Sequence, residues 1–185
     1  MAGRILADDI FREPFWLALA TLVLAAAAIL GALGFEHLGG YQPCALCLMQ
    51  RTPYYLGVPL AGVATAAAWM RAPKLLVGVL FGLVAALFVY NAGLAAYHAG
   101  VEWRFWEGPA SCAPSVGVGN AAEMLNQLQN SRAPSCTDAT WRLAGLSFAG
   151  WNVLISALIA GLAASGVWAS RQQASYGSST ASQYR

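Results

Sequence analysis

Four long apolar runs separated by polar segments set the pattern of the chain. The first, FWLALATLVLAAAAILGALG, covers residues 15–34. The second ends at Met70 and begins between Cys47 and Tyr54; the third covers 75–95 and the fourth 144–168. Residues 15–34, 54–70, 75–95 and 144–168 contain no Asp, Glu, Lys or Arg. Crossing a bilayer takes about 20 helical residues, so each run is long enough to span. The ten-residue alternation of a membrane β-barrel is absent. The pattern therefore predicts an all-α integral membrane protein, a four-transmembrane-helix bundle with spans at about 15–34, 47–70, 75–95 and 144–168. The first run is read as a span and not as a cleaved signal, because it exceeds the usual apolar length of about 7–15 residues and Asp8, Asp9 and Glu13 interrupt a basic leader.

Composition points the same way. Of 185 residues, 58% are hydrophobic and only 10% charged, whereas a soluble domain carries about 25% charged residues. The net charge of +2, without a basic block, gives no footprint for nucleic acid.

An even number of spans places both termini on one side. That side holds Arg4, Arg12, Arg71, Lys74, Arg171 and Arg185 in short segments; the other holds Arg51, Arg104, Arg132 and Arg142 in longer ones. The positive-inside bias puts the termini in the cytoplasm and the loops at about 35–53 and 96–143 outside. Residues 1–170 form one membrane domain in this reading. The polar tail RQQASYGSSTASQYR, 171–185, has nothing to bury and is expected to be disordered.

All four cysteines, Cys44, Cys47, Cys112 and Cys136, fall in or beside the outer segments, where disulfides persist. Four cysteines allow three connectivities, and spacing favours Cys44–Cys47 with Cys112–Cys136. Closing the longer loop would stabilise by roughly 3 kcal/mol and the tight one by roughly 2, so C-x-x-C is the poorer staple. It is a common redox arrangement, since one thiolate can attack a mixed disulfide made by its neighbour. Two structural staples and half of a zinc site are the rival readings; a second C-x-x-C or a His pair, which zinc would need, is missing.

Neighbouring residues add chemistry. In YQPCALCLMQR, residues 41–51, the cysteines follow Pro43 and open a membrane helix, whose N-terminal amides favour a thiolate. Arg51 lies four residues beyond Cys47, on the same helical face. It can stabilise a thiolate or an anionic acceptor, or simply snorkel to headgroups. His98 ends the third span, and Trp151 and Asn152 begin the fourth; the plainest reading of all three is an interfacial belt. The segment WRFWEG, 103–108, belongs in the headgroups for the same reason. Ala121, Met124, Leu125 and Leu128 repeat at helical spacing behind Asn120, which predicts a short interfacial helix in the long outer loop. Pro114 and Pro134 flank it and leave Cys112 and Cys136 in mobile backbone.

The whole pattern resembles the DsbB family of disulfide-bond formation proteins over about residues 10–170. CALCLMQR at 44–51 is similar to that family's C-x-x-C-x-x-x-R motif, although Gln50 stands where the family often has an acidic residue. The resemblance implies an enzyme, a protein-dithiol:quinone oxidoreductase of the bacterial inner membrane with its cysteines on the periplasmic side. It implies a thioredoxin-fold partner of the DsbA type, a membrane quinone (ubiquinone or menaquinone) as acceptor, and no metal. By position, Cys112 is the cysteine attacked by the soluble oxidase and Cys136 its mate. Cys44 exchanges with Cys136, and Cys47 is the thiolate that meets the quinone. Arg51 corresponds to the arginine beside the quinone, with His98 and Trp151 in the same pocket. The rivals are a vitamin K epoxide reductase-like enzyme, whose C-x-x-C comes late in the bundle, and a scaffold with two structural disulfides. A transporter is disfavoured because the spans lack an ionisable residue.

Overall fold

The computed structural model describes residues 14–109, 136, 137, 139 and 141–183. Cys112 and the short helix expected around 120–128 lie outside the described residues. The elements are α1 (Pro14–His37), α2 (Ala45–Trp69), α3 (Lys74–Glu102), a hairpin of β1 (Arg142–Leu143) and β2 (Leu146–Ser147), and α4 (Phe148–Gln183). The helices pack in a ring, α1 on α2, α2 on α3, α3 on α4 and α4 on α1, with the α3–α4 seam the most extensive.

Among the described residues three helices, α1, α3 and α4 over Phe148–Ala174, are long and apolar enough to cross a membrane. Only 28% of the spanning window is buried in α1 and in α3. The remaining apolar surface, including Leu30, Val63, Leu75 and Val89, points outward. Water would not tolerate so large an apolar exterior, whereas lipid does. The chain is a membrane protein. α2 is as long, at 25 residues, but carries Gln50, Arg51 and two internal prolines, Pro53 and Pro59. Each proline removes one backbone hydrogen bond, a loss membrane helices tolerate where neighbours pack against them.

The centre of the bundle combines small and aromatic residues. Ala25, Ala61, Ala64 and Ala163 let the backbones approach, and Phe81, Phe88 and Ile159 fill the space between. A Cβ at Gly57 would stand 2.6 Å from Phe88, and one at Gly166 would run into the ring of Phe81. Both rings therefore lie directly on glycine backbone.

Two ends of helices turn in the same way. After α2, the amide of Arg71 returns to Ala68 and that of Ala72 to Ala67; after α3, Arg104 returns to Val101 and Phe105 to Gly100. These are Schellman turns with arginine in the left-handed position, at φ 54° for Arg71 and 61° for Arg104. The hairpin turns at Ala144 and Gly145, φ 51° and 82°, the pair of positive values that suits a two-residue loop. It pairs Arg142 with Ser147 and Leu143 with Leu146. The expected fourth span began at Ala144 and so took in the turn and β2, because Ala-Gly-Leu before Ser147 is apolar enough to read as helix. At its other end α4 stays helical through Gln183, where composition suggested an unstructured tail from Arg171. A helix already nucleated in a packed segment extends through polar residues at little cost.

Candidate active site

The site lies where the end of α1, the start of α2, the end of α3 and the start of α4 meet. Gly40, at φ 70°, turns the chain out of α1, with the amides of Gly39, Gly40 and Tyr41 bonded back to Gly34, Glu36 and Phe35. Pro43 then leads into α2. Cys44 is the N-cap of α2, and its Sγ accepts from the Cys47 amide at 3.3 Å, as an oxygen of serine or aspartate usually does.

Cys44 and Cys47 are free, and their sulfurs lie 2.8 Å apart. The His98 Nε2 atom lies 3.6 Å from the Cys44 sulfur. The Cys44 thiol is lowered to about 4, chiefly by hydrogen bonding to the Cys47 side chain, with burial opposing and His98 assisting. The sulfurs and His98 offer ligand atoms within 4.8 Å of one another, a set that could hold a metal ion. Tetrahedral zinc thiolates with Zn–S bonds of about 2.3 Å keep their sulfurs about 3.8 Å apart, so zinc would have to spread this pair. At its observed separation the pair suits sulfur–sulfur exchange better than metal binding.

The two cysteines face different surroundings. Cys44 is buried with Leu46, Val101 and Cys136 in one cluster, against which Cys47 packs from the edge. Cys136 is disulfide-bonded. Cys47, not Cys44, lines a cavity of about 410 Å³. Ala27, Ala28, Ile29 and Ala32 of α1 and Ile155 of α4 form an apolar wall; Arg51, Gln50, His98 and Glu36 supply polar groups. Phe35, Tyr41, Trp141 and Phe148 form an aromatic rim, with Trp141 stacked on Phe148 at 4.7 Å between ring centres.

All the described candidates from the sequence meet here. Arg51 lines the cavity with Cys47, on the helical face their spacing implies, and its Nη1 donates to Glu36 Oε2. His98, plainly read as an interfacial residue, is only 2% exposed and sits between Gln50 and Cys44. Trp151 lines the cavity, but its indole N–H is committed to the Leu143 carbonyl at 3.1 Å, so it serves as wall.

Several members of the site went unread. Glu36 belongs to an outer loop by sequence, and only the return of the chain at Gly40 sets it against Arg51. Glu102 bonds Ser147 of the hairpin and lies 3.9 Å from His98 Nε2. Gln50, which stood out only as a departure from the family motif, and Asn152, read as a belt residue, join Tyr54, Ser156 and Asn91 in a polar chain across α2, α4 and α3. Its signal was available: Gln50 with Tyr54, and Asn152 with Ser156, are polar pairs at i, i+4 in otherwise apolar helices, and polar groups in a bilayer face the bundle.

No solved structure matches the chain. Curated relatives do, each a protein called disulfide bond formation protein B. That of Marinobacter nauticus is 27% identical over 151 residues, covering 78% of this chain and 86% of the relative. That of Polaromonas sp. is 32% identical over 151 residues, covering 77% and 84%. That of Nitrosomonas europaea is 28% identical over 160 residues, covering 80% and 90%. The family model described as disulfide bond formation protein DsbB matches residues 13–166, which take in the cysteine pair, the cavity lining, α1 to α3 and the first half of α4. This membrane protein belongs to the DsbB family of disulfide bond formation proteins.

Proposed function

We propose that the protein is a dithiol:quinone oxidoreductase, which reoxidises a soluble thioredoxin-fold oxidase of the DsbA type and passes the electrons to a membrane quinone. One observation carries this reading: Cys47 lines the apolar cavity while Cys44 is buried with Cys136 on the other side. Sulfur chemistry thus enters through Cys44 and leaves through Cys47.

The cavity fits a quinone ring. Its volume of about 410 Å³ falls in the range of about 300–1,000 Å³ usual for small-molecule sites. The alanine and isoleucine wall suits an uncharged, lipid-soluble ring, and Arg51 places donors near Cys47 for carbonyl oxygens. When bound, such a group accepts two electrons and two protons.

The chain's own residues supply the rest. With Cys44 and Cys47 joined, a Cys136 thiolate attacks Cys44 Sγ; the Cys44–Cys47 bond breaks, a Cys44–Cys136 bond forms, and Cys47 is released as a thiolate facing the cavity. The new anion lies beside Arg51, four residues along the same helix. The partner's second thiolate resolves its mixed disulfide with Cys112 and leaves oxidised. The freed Cys112 thiolate attacks Cys136, which re-forms the Cys112–Cys136 bond and releases Cys44 as a thiolate. As Cys47 gives up its electron pair to the bound acceptor, the Cys44 thiolate bonds to the Cys47 sulfur and restores the Cys44–Cys47 disulfide. The net change is one dithiol oxidised and one quinone reduced to quinol. Cys112 is the proposed point of entry for the partner's electrons.

The same proposal takes α2 as the second of four spans. Its ends coincide with those of its neighbours: Trp69 meets Phe15 at the start of α1, and Cys44 meets His98 at the end of α3. Arg71 and Lys74 in the turn after α2 then mark the cytoplasmic side of the inner membrane, and the cysteines face the periplasm.

The test is quinone reduction by purified protein supplied with a reduced DsbA-type dithiol, read from the loss of quinone absorbance. Catalytic loss that disappears in Cys47→Ser, with the variant still folded in the membrane, is the expected result. No loss with either ubiquinone or menaquinone, in wild-type protein whose cysteines are oxidised, overturns the reading.

A further inference from the structure

We propose that Gln50 and Asn152 are positioning residues that hold His98 as a neutral ring protonated on Nε2, with that proton directed at the Cys44 sulfur. The inference rests on Cys44 belonging to the redox pair proposed above, and it adds how the histidine beside that pair is set.

The geometry is a one-way chain of hydrogen bonds. Asn91 Nδ2 donates to Ser156 Oγ at 2.9 Å, so the Ser156 proton goes elsewhere, to Asn152 Oδ1 at 3.3 Å. Tyr54 donates to the same Asn152 oxygen at 2.6 Å. With its oxygen occupied, Asn152 turns its Nδ2 to Gln50 Oε1 at 2.5 Å. Gln50 is thereby oriented too, and its Nε2 donates to His98 Nδ1 at 2.7 Å. An Nδ1 that accepts carries no proton. The single proton of the ring is then on Nε2, 3.6 Å from Cys44 Sγ.

Burial gives the chain its hold. Asn91 and Ser156 are 0% exposed, His98 2% and Gln50 5%, so each polar atom of the chain depends on its neighbours in the bundle for a partner. Rotating the Gln50 amide alone would set donor against donor at Asn152 and acceptor against acceptor at His98 Nδ1. The direction therefore propagates from Ser156 on α4 to His98 on α3.

The charged groups facing the ring sharpen the point. Glu102, on the same helix, lies 3.9 Å from Nε2, and the Cys44–Cys47 pair stands beside it. A second ring proton could only enter at Nδ1. The Gln50 amide hydrogen already occupies that place. His98 accordingly works as a neutral hydrogen-bond donor to sulfur rather than as a general acid, because an imidazole that gave up its last proton would be left as an anion. Such a donor stabilises the Cys44 thiolate when that sulfur is reduced, without adding a cation that Glu102 would capture.

The chain has only two histidines, His37 and His98, and His37 is exposed. In a His37→Ala background, nitrogen-15 labelling leaves one imidazole to observe in the full-length protein in detergent or nanodiscs. The expected result at neutral pH is one protonated nitrogen assigned to Nε2 and one bare nitrogen assigned to Nδ1. In Gln50→Glu the carboxylate accepts instead of donating, so the bare Nδ1 signal is lost and Nδ1 becomes protonated. In Asn152→Ala the orientation of Gln50 is released, and the two tautomers mix. A proton on Nδ1 in the wild-type ring overturns the proposal without any variant; so does an unchanged tautomer in folded Gln50→Glu. The readout needs neither quinone nor partner, so a protein that reduced no quinone could still pass it, and an active enzyme could fail it.

Discussion

Glu36 and Arg51 form an ion pair on the wall of the cavity, joining the end of α1 to the first turns of α2. One guanidinium nitrogen is committed to this carboxylate, and the planar group that remains is held in a fixed orientation with further donors. Glu36→Gln should therefore raise the half-saturation concentration of quinone, on the order of tenfold, by letting the guanidinium wander. Encounter with the dithiol partner should not change. Arg51→Lys should show the same defect and fail to recover it, because an ammonium cannot serve both directions as a planar fork. Steady-state titration of quinone at saturating partner reads both variants, and an unaltered half-saturation value in Glu36→Gln would remove Glu36 from the site.

The reduced pair should carry a thiolate far into acid. Cys44 is held at about 4 by the Cys47 side chain and, less strongly, by His98, against about 8.5 for a free thiol. A depressed pKa stabilises the folded, reduced protein fully above the unfolded value, and that contribution fades as pH falls through about 4. Stabilising the thiolate also makes the disulfide form the stronger oxidant. Thiolate absorbance of the reduced protein, followed against pH, should persist well below neutrality and disappear only near the lower value. His98→Ala should move the loss to higher pH. A thiolate that vanished around the ordinary thiol value would contradict the geometry at the N-cap.

Filling the cavity should separate its two functions. Ala28 lines the apolar wall without bonding to any polar group of the site. Ala28→Phe should raise the half-saturation concentration for quinone more than tenfold, since the ring would occupy the space a ligand needs. Disulfide exchange between the cysteine pair and a reduced partner, followed in a single turnover without quinone, should keep its rate. Equal loss of both activities would mean that the cavity wall supports the cysteines instead of a ligand.

The contact of Gly57 with Phe88 should be intolerant of a single carbon. A Cβ there meets the ring at 2.6 Å, and Phe88 in turn packs on Tyr54 at 5.1 Å between ring centres. Gly57→Ala should cost about 1–3 kcal/mol in reversible unfolding from detergent, as overpacking does elsewhere. Phe88→Leu in the same chain should recover part of it. Because Tyr54 holds Asn152, the single variant should also disturb the site one turn away.

Much of the architecture is written along the chain. Runs of Leu, Ala and Val without charge can only be helices when the solvent is lipid, which satisfies no backbone group. The spacing of Cys44, Cys47 and Arg51 places three side chains at one helix start, because helical periodicity alone decides which residues share a face. Tertiary structure decided the rest. Glu36 becomes a partner of Arg51 only because Gly40 turns the chain back. Leu143 meets Trp151 only because Ala144 and Gly145 close a hairpin in what reads as an apolar helix. His98, Gln50 and Asn152 are 48 and 102 residues apart in sequence along their two contacts. Each alone looks like an ordinary polar residue at a membrane edge. Periodicity reports which way a side chain faces within its own helix, but the order in which four helices pack decides what it meets there, and in lipid that meeting fixes where each proton must point.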